Sequence, residues 1–212
     1  APPFSKASFV KLKNVLKSDI ESCSVVEPNK TDVKFLKENI EGVNIFNGMF
    51  EKIDTTEKYN LVTSFEVLEH IISPTIFLKK CYELMELGGI INIEVPNHND
   101  VLLFYKSSRY KNFYYHKAHI HYFTDKSLSE LFERNGFDGK VSSFLMYPFF
   151  NHVFWCQNNK PQGSADIALN TPIPTDSISE INNFYVDVEN RYEELVNKHM
   201  LGDCLVFQGT KK

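Results

Sequence analysis

Polar and apolar positions along this chain follow two different spacings, which alternate. Short β-prone runs of four to six residues predict strands, and they occupy 22–26, 43–46, 60–65 and 90–95. Apolar residues three or four apart predict helices over 4–17, 31–40 and 74–86. Strands that alternate with helices of this length predict an α/β fold, with a mostly parallel twisted sheet and helices on both faces.

Residues that favour helix ends bound these elements. Ser73 and Pro74 suit the cap and the first position of a helix. Gly88 and Gly89 suit the left-handed turn that ends the same helix. In the C-terminal half we predict helices over 126–135 and 177–199, and a last strand over 204–207.

Two segments interrupt the alternation. Residues 98–123 are rich in Tyr, Phe, His and Lys without a clean period, and we expect them to form a lid over an acceptor site. Residues 144–176 combine an aromatic stretch with a loop rich in Asn, Pro, Gly and Ser. We therefore expect a single domain over 1–212, with these two segments as insertions.

Composition narrows the function classes. The net charge of −4 argues against a general nucleic-acid binder, which needs a basic face. The four cysteines form no CxxC pair, so the sequence offers neither a zinc knuckle nor a disulfide framework. No apolar run reaches the ~20 residues of a membrane helix. We expect reduced thiols, no membrane partner and a cytoplasmic location.

The best candidate for a ligand contact is Glu27, which directly follows the predicted strand over 22–26. In an open parallel sheet, ligands bind beyond the carboxyl ends of the strands. Glu27 stands at such an end, where its carboxylate could accept hydrogen bonds from a ribose diol. A solvated acid at the start of a loop explains the same residue equally well.

Four stretches of sequence carry a resemblance to a known family. They are YNLVTSFEVLEHIISPTIFLKKCYELMELGGIINIEVPN (59–97), VVEPN (25–29), AHIHYFTDKSLSELFERNGF (118–137) and GDCLVFQGTKK (202–212). In order and spacing they resemble the class I S-adenosylmethionine-dependent methyltransferases. The most similar subgroup comprises the ubiquinone-pathway O-methyltransferases and sugar-modifying enzymes of surface-polysaccharide pathways. The resemblance implies a Rossmann-like fold with an antiparallel last strand.

The resemblance also implies S-adenosylmethionine as the cofactor and assigns its contacts. Glu27, with Pro28 beside it, would hold the ribose. Met49 and Phe50 would lie against the adenine, although the family often has Asp where Met49 stands. The methionine part would be flanked by the corner Ser64, Phe65 and Glu66.

The start of the chain departs from the family pattern. Ser5 and Ala7 stand where the family has the glycines of its cofactor loop. Glycine matters there because the backbone must come close to the ligand. Either this loop is degenerate, or the family's first strand and loop lie in sequence ahead of residue 1. We expect the second, because a sheet without its first strand would lack its centre.

A metal site is a further expectation. On a helix, Glu66, Glu69 and His70 would share one face, and their oxygens and nitrogen suit Mg²⁺ or Mn²⁺. The resemblance adds His119, at a position where metal-dependent RNA 2′-O-methyltransferases carry another histidine. A bound metal could lower the pKa of an acceptor hydroxyl. The alternative is a polar network without metal.

Histidines near the expected cofactor also suggest a general base. His119 and His121 are the candidates, since imidazole titrates near neutral pH. Around them, Arg109, Lys111 and several tyrosines could grip phosphate and a ring. A solvated loop with a few anchoring rings is the alternative.

Together these observations predict methyl transfer to a small-molecule acceptor, a hydroxyl of a sugar or sugar-nucleotide in surface-polysaccharide biosynthesis. Alternatives are a non-catalytic methyltransferase-like domain that has lost its cofactor site, or a metal-dependent RNA 2′-O-methyltransferase. A nicotinamide-linked enzyme ranks lower, because it needs a GxGxxG turn that this sequence lacks. The sequence leaves the oligomeric state open.

Overall fold

The structure is a computed structural model, and it describes residues 20–105, 108–162 and 179–212. The strands are β1 (Ser24–Val26), β2 (Asn44–Phe46), β3 (Tyr59–Phe65), β4 (Met85–Pro96), β5 (Phe137–Phe144) and β6 (Cys204–Lys211). The helices are α1 (Lys30–Asn39), α2 (Pro74–Leu84), α3 (Val101–Phe104), α4 (Ser108–Tyr114), α5 (Asp125–Arg134), α6 (Phe149–Asn158) and α7 (Ser179–Lys198). Two single 3₁₀ turns, Phe50–Lys52 and Leu68–His70, lie between them.

The strands pair in two groups within the described ranges. β1 and β2 form a parallel pair, and the other four strands form a sheet in the order β3-β4-β6-β5. β3 and β4 are parallel, whereas β6 runs antiparallel to both β4 and β5. The predicted α/β architecture with an antiparallel last strand is therefore confirmed. A hydrogen bond of 2.8 Å from the Tyr59 hydroxyl to Ser24 Oγ connects the two groups.

The core lies on one face of the four-stranded sheet. Ile91 and Ile93 of β4 and Phe207 of β6 point to this face and are almost fully buried. α5 covers it, and its Phe132 ring stacks on Phe207 with ring centroids 3.8 Å apart. The amphipathic α5 begins one residue before the predicted start at 126, and Thr124 caps it by accepting a hydrogen bond from the Ser127 amide in a capping box.

β4 begins earlier than the sequence predicts. The predicted helix over 74–86 ends at Leu84, and the chain is extended from Met85 onward. Met85 pairs with Tyr59 and Ile90 with Leu61, so an irregularity in the ladder absorbs the residues between. Gly88 sits in it at a φ of 77°, which glycine adopts without strain. The two glycines thus shape a bulged strand rather than a helix end.

The two interrupting segments contain helices that the sequence pattern did not reveal. α3 and α4 lie within 98–123, and α6 occupies the aromatic stretch of 144–176, for which no helix was predicted. α6 has apolar residues around most of its circumference, which removes the spacing that marks a helix on a surface. Among the described residues, no helix is both long and apolar enough to cross a membrane.

Candidate functional site

Glu27 follows the end of β1 and is anchored there by its backbone. Its amide donates to the carbonyl of Phe46 at 3.0 Å, and its carbonyl accepts from Asn47 Nδ2 at 2.9 Å. The half-buried carboxylate uses Oε1 to accept from the Asn29 amide at 2.7 Å. Its second oxygen takes no hydrogen bond from the described residues. That oxygen is open to a ligand hydroxyl.

β3 ends in a sharp corner formed by Ser64, Phe65 and Glu66. The Ser64 hydroxyl is buried and has no hydrogen-bond partner among the described residues. Glu66 takes a φ of 54°, which turns the chain out of the strand, while its amide still donates to the carbonyl of Glu94 at 3.1 Å. A non-glycine residue in this conformation marks a strained and specifically held corner.

This corner separates Glu66 from the other expected metal ligands. The sequence predicts Glu66, Glu69 and His70 on one helical face, but only Leu68–His70 is helical, as a single 3₁₀ turn. The Glu66 carboxylate instead lies with Glu94 and Cys204, whose Sγ donates to Oε1 at 3.8 Å. The predicted helical placement of Glu66 is therefore wrong, because its positive φ breaks the periodicity before the turn begins.

Glu69, His70 and His119 do come together. Glu69 Oε1 lies 3.5 Å from His70 Nε2 and 3.8 Å from His119 Nε2, and one ligand atom of each residue lies within 4.8 Å of the others. The Glu69 side chain is only 1% exposed. Among the described residues, neither of its oxygens nor either ring nitrogen of His119 has a hydrogen-bond partner. We call these three residues the Glu–His cluster.

Hydrogen bonds around the Glu–His cluster fix its geometry. His70 Nδ1 lies 2.7 Å from the carbonyl of Ala118, so this nitrogen donates and leaves the Nε2 lone pair facing Glu69. The carbonyl of Glu69 accepts from the amides of Ile120 and His121 at 3.0 and 3.1 Å. The 3₁₀ turn and the histidine segment are thereby held side by side.

Burial sets the charge state of the Glu–His cluster. It raises the pKa of Glu69 to about 8, and the neighbouring carboxylate of Glu66 adds to the increase. Burial also lowers the pKa of His119 to about 4, with the nearby His116 and His70 contributing. At neutral pH the cluster therefore holds a protonated carboxyl and a neutral imidazole. Neutral imidazole is the form that ligates metals or accepts a proton.

A second acidic group lies beside the corner and was missed at the sequence level. Burial raises the pKa of both Glu66 and Glu94 to about 7, with Glu94 adding to the effect at Glu66 and Asp203 adding at Glu94. A signal was present, because Glu94 is the one charged residue in the run IINIEVP, in which Asn92 is the other polar residue. Its partners could not be inferred, since they depend on how β4 and β6 pair.

We expect Glu94→Gln to stabilise the protein above pH 7. The folded state raises the pKa of Glu94 from 4.5 to about 7, so ionisation costs stability as pH rises through this interval. The gain should be absent near pH 4 and complete above pH 7. Allowing for solvent screening, about 1 kcal/mol and 2–4 °C in Tm are expected. Thermal melts from pH 4 to 8.5 test this, and a pH-independent gain would contradict it.

The other residues predicted to contact the cofactor differ in their exposure and packing. Met49 is 47% exposed, and Pro28 is exposed beside Glu27. Phe50 packs its ring on Phe77 with centroids 4.7 Å apart, so it belongs in part to the core. Ser5 and Ala7 lie outside the described residues. The second candidate base, His121, has a buried Nε2 without a partner in the described ranges, and its ring lies 5.9 Å from that of Phe123.

The segment predicted as a lid is partly a core of its own. Tyr110 and Tyr114 are buried, and Tyr110 packs edge-on against Trp155 at 4.9 Å. The Tyr110 hydroxyl also donates to the buried Asp100, whose carboxylate caps α3 by accepting from the Leu102 amide. These rings therefore anchor the segment, while Arg109 and Lys111 remain exposed.

Known proteins of similar sequence identify the family of this chain. The family model described as a methyltransferase domain matches residues 13–141, well over half of the chain. The chain belongs to the class I S-adenosylmethionine-dependent methyltransferases. A curated relative, the ubiquinone biosynthesis O-methyltransferase of Rhodopseudomonas palustris (strain TIE-1), is 30% identical over 78 residues. That match covers 35% of this chain and 31% of the relative, so the chain aligns with under a third of its length.

Solved structures show the same fold for this methyltransferase domain. An S-adenosylmethionine-dependent methyltransferase of Archaeoglobus fulgidus superposes with a TM-score of 0.58 at 20% identity, covering 97% of this chain and 81% of that one. A second, from Mesorhizobium loti, has a TM-score of 0.57 at 9% identity and covers 96% and 85%. At these identities the likeness establishes the Rossmann-like fold.

The family implies S-adenosylmethionine as its cofactor, and the described residues fit it. Glu27 has one oxygen that takes no hydrogen bond from the described residues and suits a ribose hydroxyl. The Ser64 hydroxyl, which likewise has no partner among them, suits a polar group of the methionine part. Both residues lie at the carboxyl end of a strand, where α/β sheets bind ligands. The Glu–His cluster begins in the 3₁₀ turn that follows the same corner.

Proposed function

We propose that this methyltransferase domain transfers a methyl group from S-adenosylmethionine to an oxygen of a small-molecule acceptor. The observation that carries the proposal is the buried Glu–His cluster directly after the β3 corner. It combines two imidazoles with a buried carboxyl that has no hydrogen-bond partner among the described residues. Such groups can take a proton from an oxygen acceptor, and a purely structural turn does not need them.

Each part of the site has a separate task in this reaction. The bound cofactor supplies an electrophilic methyl group on a sulfonium. Glu27 holds the ribose, and the Ser64 corner fixes the end of the ligand nearest β3. His119 is neutral at physiological pH, so it can accept the acceptor's proton at one ring nitrogen. Alignment of the two reactants with water excluded supplies much of the remaining rate.

As an alternative to proton transfer by His119, we further propose that Glu69, His70 and His119 can hold a divalent metal, in which case His121 is the candidate base. The His70 tautomer leaves Nε2 free, His119 is neutral, and both Glu69 oxygens lack a partner among the described residues. A mixed oxygen and nitrogen set suits Mn²⁺ or Mg²⁺, and binding would displace the proton of Glu69. Such a metal would supply Lewis-acid polarisation of the acceptor hydroxyl. Glu66 is not part of this set.

For the acceptor we propose a sugar or sugar-nucleotide hydroxyl. Arg109 and Lys111 lie exposed on α4 and suit a phosphate. The exposed ring of Phe113 on the same helix suits a ring that stacks. The relative from Rhodopseudomonas palustris is named as an O-methyltransferase, which supports oxygen as the methylated atom.

We expect Glu27→Ala to weaken binding of S-adenosylhomocysteine roughly 10- to 100-fold. The change removes a charged acceptor that would serve the ribose hydroxyls, at about 1.5–3 kcal/mol. Titration calorimetry on the full-length protein measures the effect. Glu41→Ala is the matched control, since Glu41 is an exposed acid after α1 and should leave the affinity unchanged. A wild-type protein that binds no S-adenosylhomocysteine would overturn the proposed function.

A further inference from the structure

A cavity of about 180 Å³ lies between α4 and α6, apart from the Glu–His cluster. Its floor is made by Tyr110 and Trp155, which are almost fully buried, whereas Phe113 and Tyr147 on its walls are 51% and 46% exposed. An apolar cavity of about 150 Å³ accommodates benzene. This cavity therefore has room for a planar ring, with rings on several sides to stack against it.

One wall carries an unsatisfied polar atom. His152 lines the cavity and is 3% exposed, and its Nε2 has no hydrogen-bond partner among the described residues. Its Nδ1 lies 2.9 Å from the Tyr192 hydroxyl, so the ring is held in place from behind. Nε2 lies 3.7 Å from Asp203 Oδ2, beyond hydrogen-bond distance. The buried His152 ring therefore forms a fixed part of the cavity wall.

The helix that carries Phe113 also carries an exposed cation. Arg109 is exposed on α4, and it precedes Phe113 by four residues, which places the two side chains on the same helical face. A guanidinium beside a stacked ring is the arrangement that recognises phosphate next to a base. A purely apolar ligand would gain nothing from it.

The cavity is close to the reaction site. Tyr147 lies near enough to Glu66 for that carboxylate to contribute to the raised pKa of its phenol. On the other side, a chain of rings leads from Tyr110 through Tyr114 and Tyr122 to His119, with centroid separations of 6.4, 5.6 and 6.0 Å. One continuous group of aromatic rings therefore connects the cavity with the Glu–His cluster.

We propose that this cavity binds the base of a nucleoside diphosphate carried by the acceptor, with Arg109 on its phosphates. The inference rests on the proposed function and deepens it. Binding of the nucleotide anchors the acceptor, and the sugar attached to it extends toward His119. Phe113, Trp155 and His152 then determine specificity, while the Glu–His cluster acts on the hydroxyl.

The chain contains a single tryptophan, and it is Trp155. Its fluorescence therefore reports on this cavity alone. We expect UDP, GDP or dTDP, titrated into the full-length protein, to change the Trp155 emission saturably for at least one of the three. Inorganic pyrophosphate, which lacks a base, should leave the emission unchanged. The titrations are run with and without saturating S-adenosylhomocysteine, so that occupancy of the cofactor site is controlled.

Two variants test the assignment of the cavity. Phe113→Ala should weaken nucleoside diphosphate binding at least tenfold, because it removes a stacking partner. Arg109→Gln should weaken the diphosphate several-fold and leave the corresponding nucleoside unaffected. Phe104→Ala is the matched control, since Phe104 is a 69% exposed phenylalanine on α3 outside the cavity lining. It should change nothing.

The outcomes separate this inference from the proposed function. S-adenosylhomocysteine binding without any nucleotide effect on Trp155 overturns the inference and leaves methyl transfer standing. A nucleotide effect that survives Phe113→Ala also overturns it. Nucleotide binding by a protein that ignores S-adenosylhomocysteine supports the cavity assignment and removes the proposed function.

Discussion

Glu69→Gln should lower methyl transfer at least a hundredfold and leave S-adenosylhomocysteine affinity within about twofold. Glutamine is close in shape to the protonated carboxyl that the site holds at neutral pH, so the fold should survive or gain stability. What the variant loses is the ability to ionise, which proton transfer or metal ligation requires. Rates with labelled S-adenosylmethionine and a panel of sugar-nucleotides, together with calorimetry, provide the two readouts.

The matched control is Glu130→Gln on α5, an exposed acid paired with Arg134 at 3.1 Å, and it should leave the rate unchanged. If the metal proposal holds, chelation should abolish the wild-type rate and Mn²⁺ should restore it. A Glu69→Gln enzyme that retains the wild-type rate would show that the cluster has no part in chemistry. If the affinity for S-adenosylhomocysteine falls together with the rate, Glu69 acts by positioning the cofactor and not in the reaction itself.

Phe132→Ala should destabilise the domain by about 3–5 kcal/mol. The ring is fully buried, stacks on Phe207 at 3.8 Å, and approaches Phe137 at 5.8 Å. Its removal leaves a cavity between α5 and the sheet that the surrounding core cannot close. Chemical denaturation measures the loss as a lower midpoint at an unchanged slope.

Phe184→Ala supplies the comparison, because it makes the same chemical change on α7 at a side chain that is 62% exposed. Its effect should stay within about 0.5 kcal/mol. Equal losses from the two variants would mean that α5 is not part of the main core. A changed slope for Phe132→Ala would show that the loss reflects an altered denatured state instead.

The sequence predicted most of the fold because its local signals agree with one another. The spacing of apolar residues and the residues that favour helix ends predict the bounds of α1, α2 and α5 to within two residues. It failed where the local pattern is ambiguous. α6 is apolar around its circumference, and the Gly88 bulge resembles a helix end when only neighbouring residues are considered.

The candidate site was predictable only in part. Glu69, His70 and His119 could be proposed from residue type and resemblance, and they lie together. Glu66 was misplaced because a positive φ at a non-glycine residue has no sequence signature. His152 and Asp203 were missed because the contact between them joins residues 51 positions apart, which only the folded chain brings within 3.7 Å.

The two amide contacts to the Glu69 carbonyl have an evolutionary consequence. Because only main-chain atoms take part, almost any side chain at positions 120 and 121 preserves the hydrogen bonds that join the 3₁₀ turn to the histidine segment. Neighbouring parts of the loop are then free to diversify toward new acceptors while the reactive group stays where it is. In a scaffold of this kind, the residues that select the acceptor can change without moving the residues that react with it.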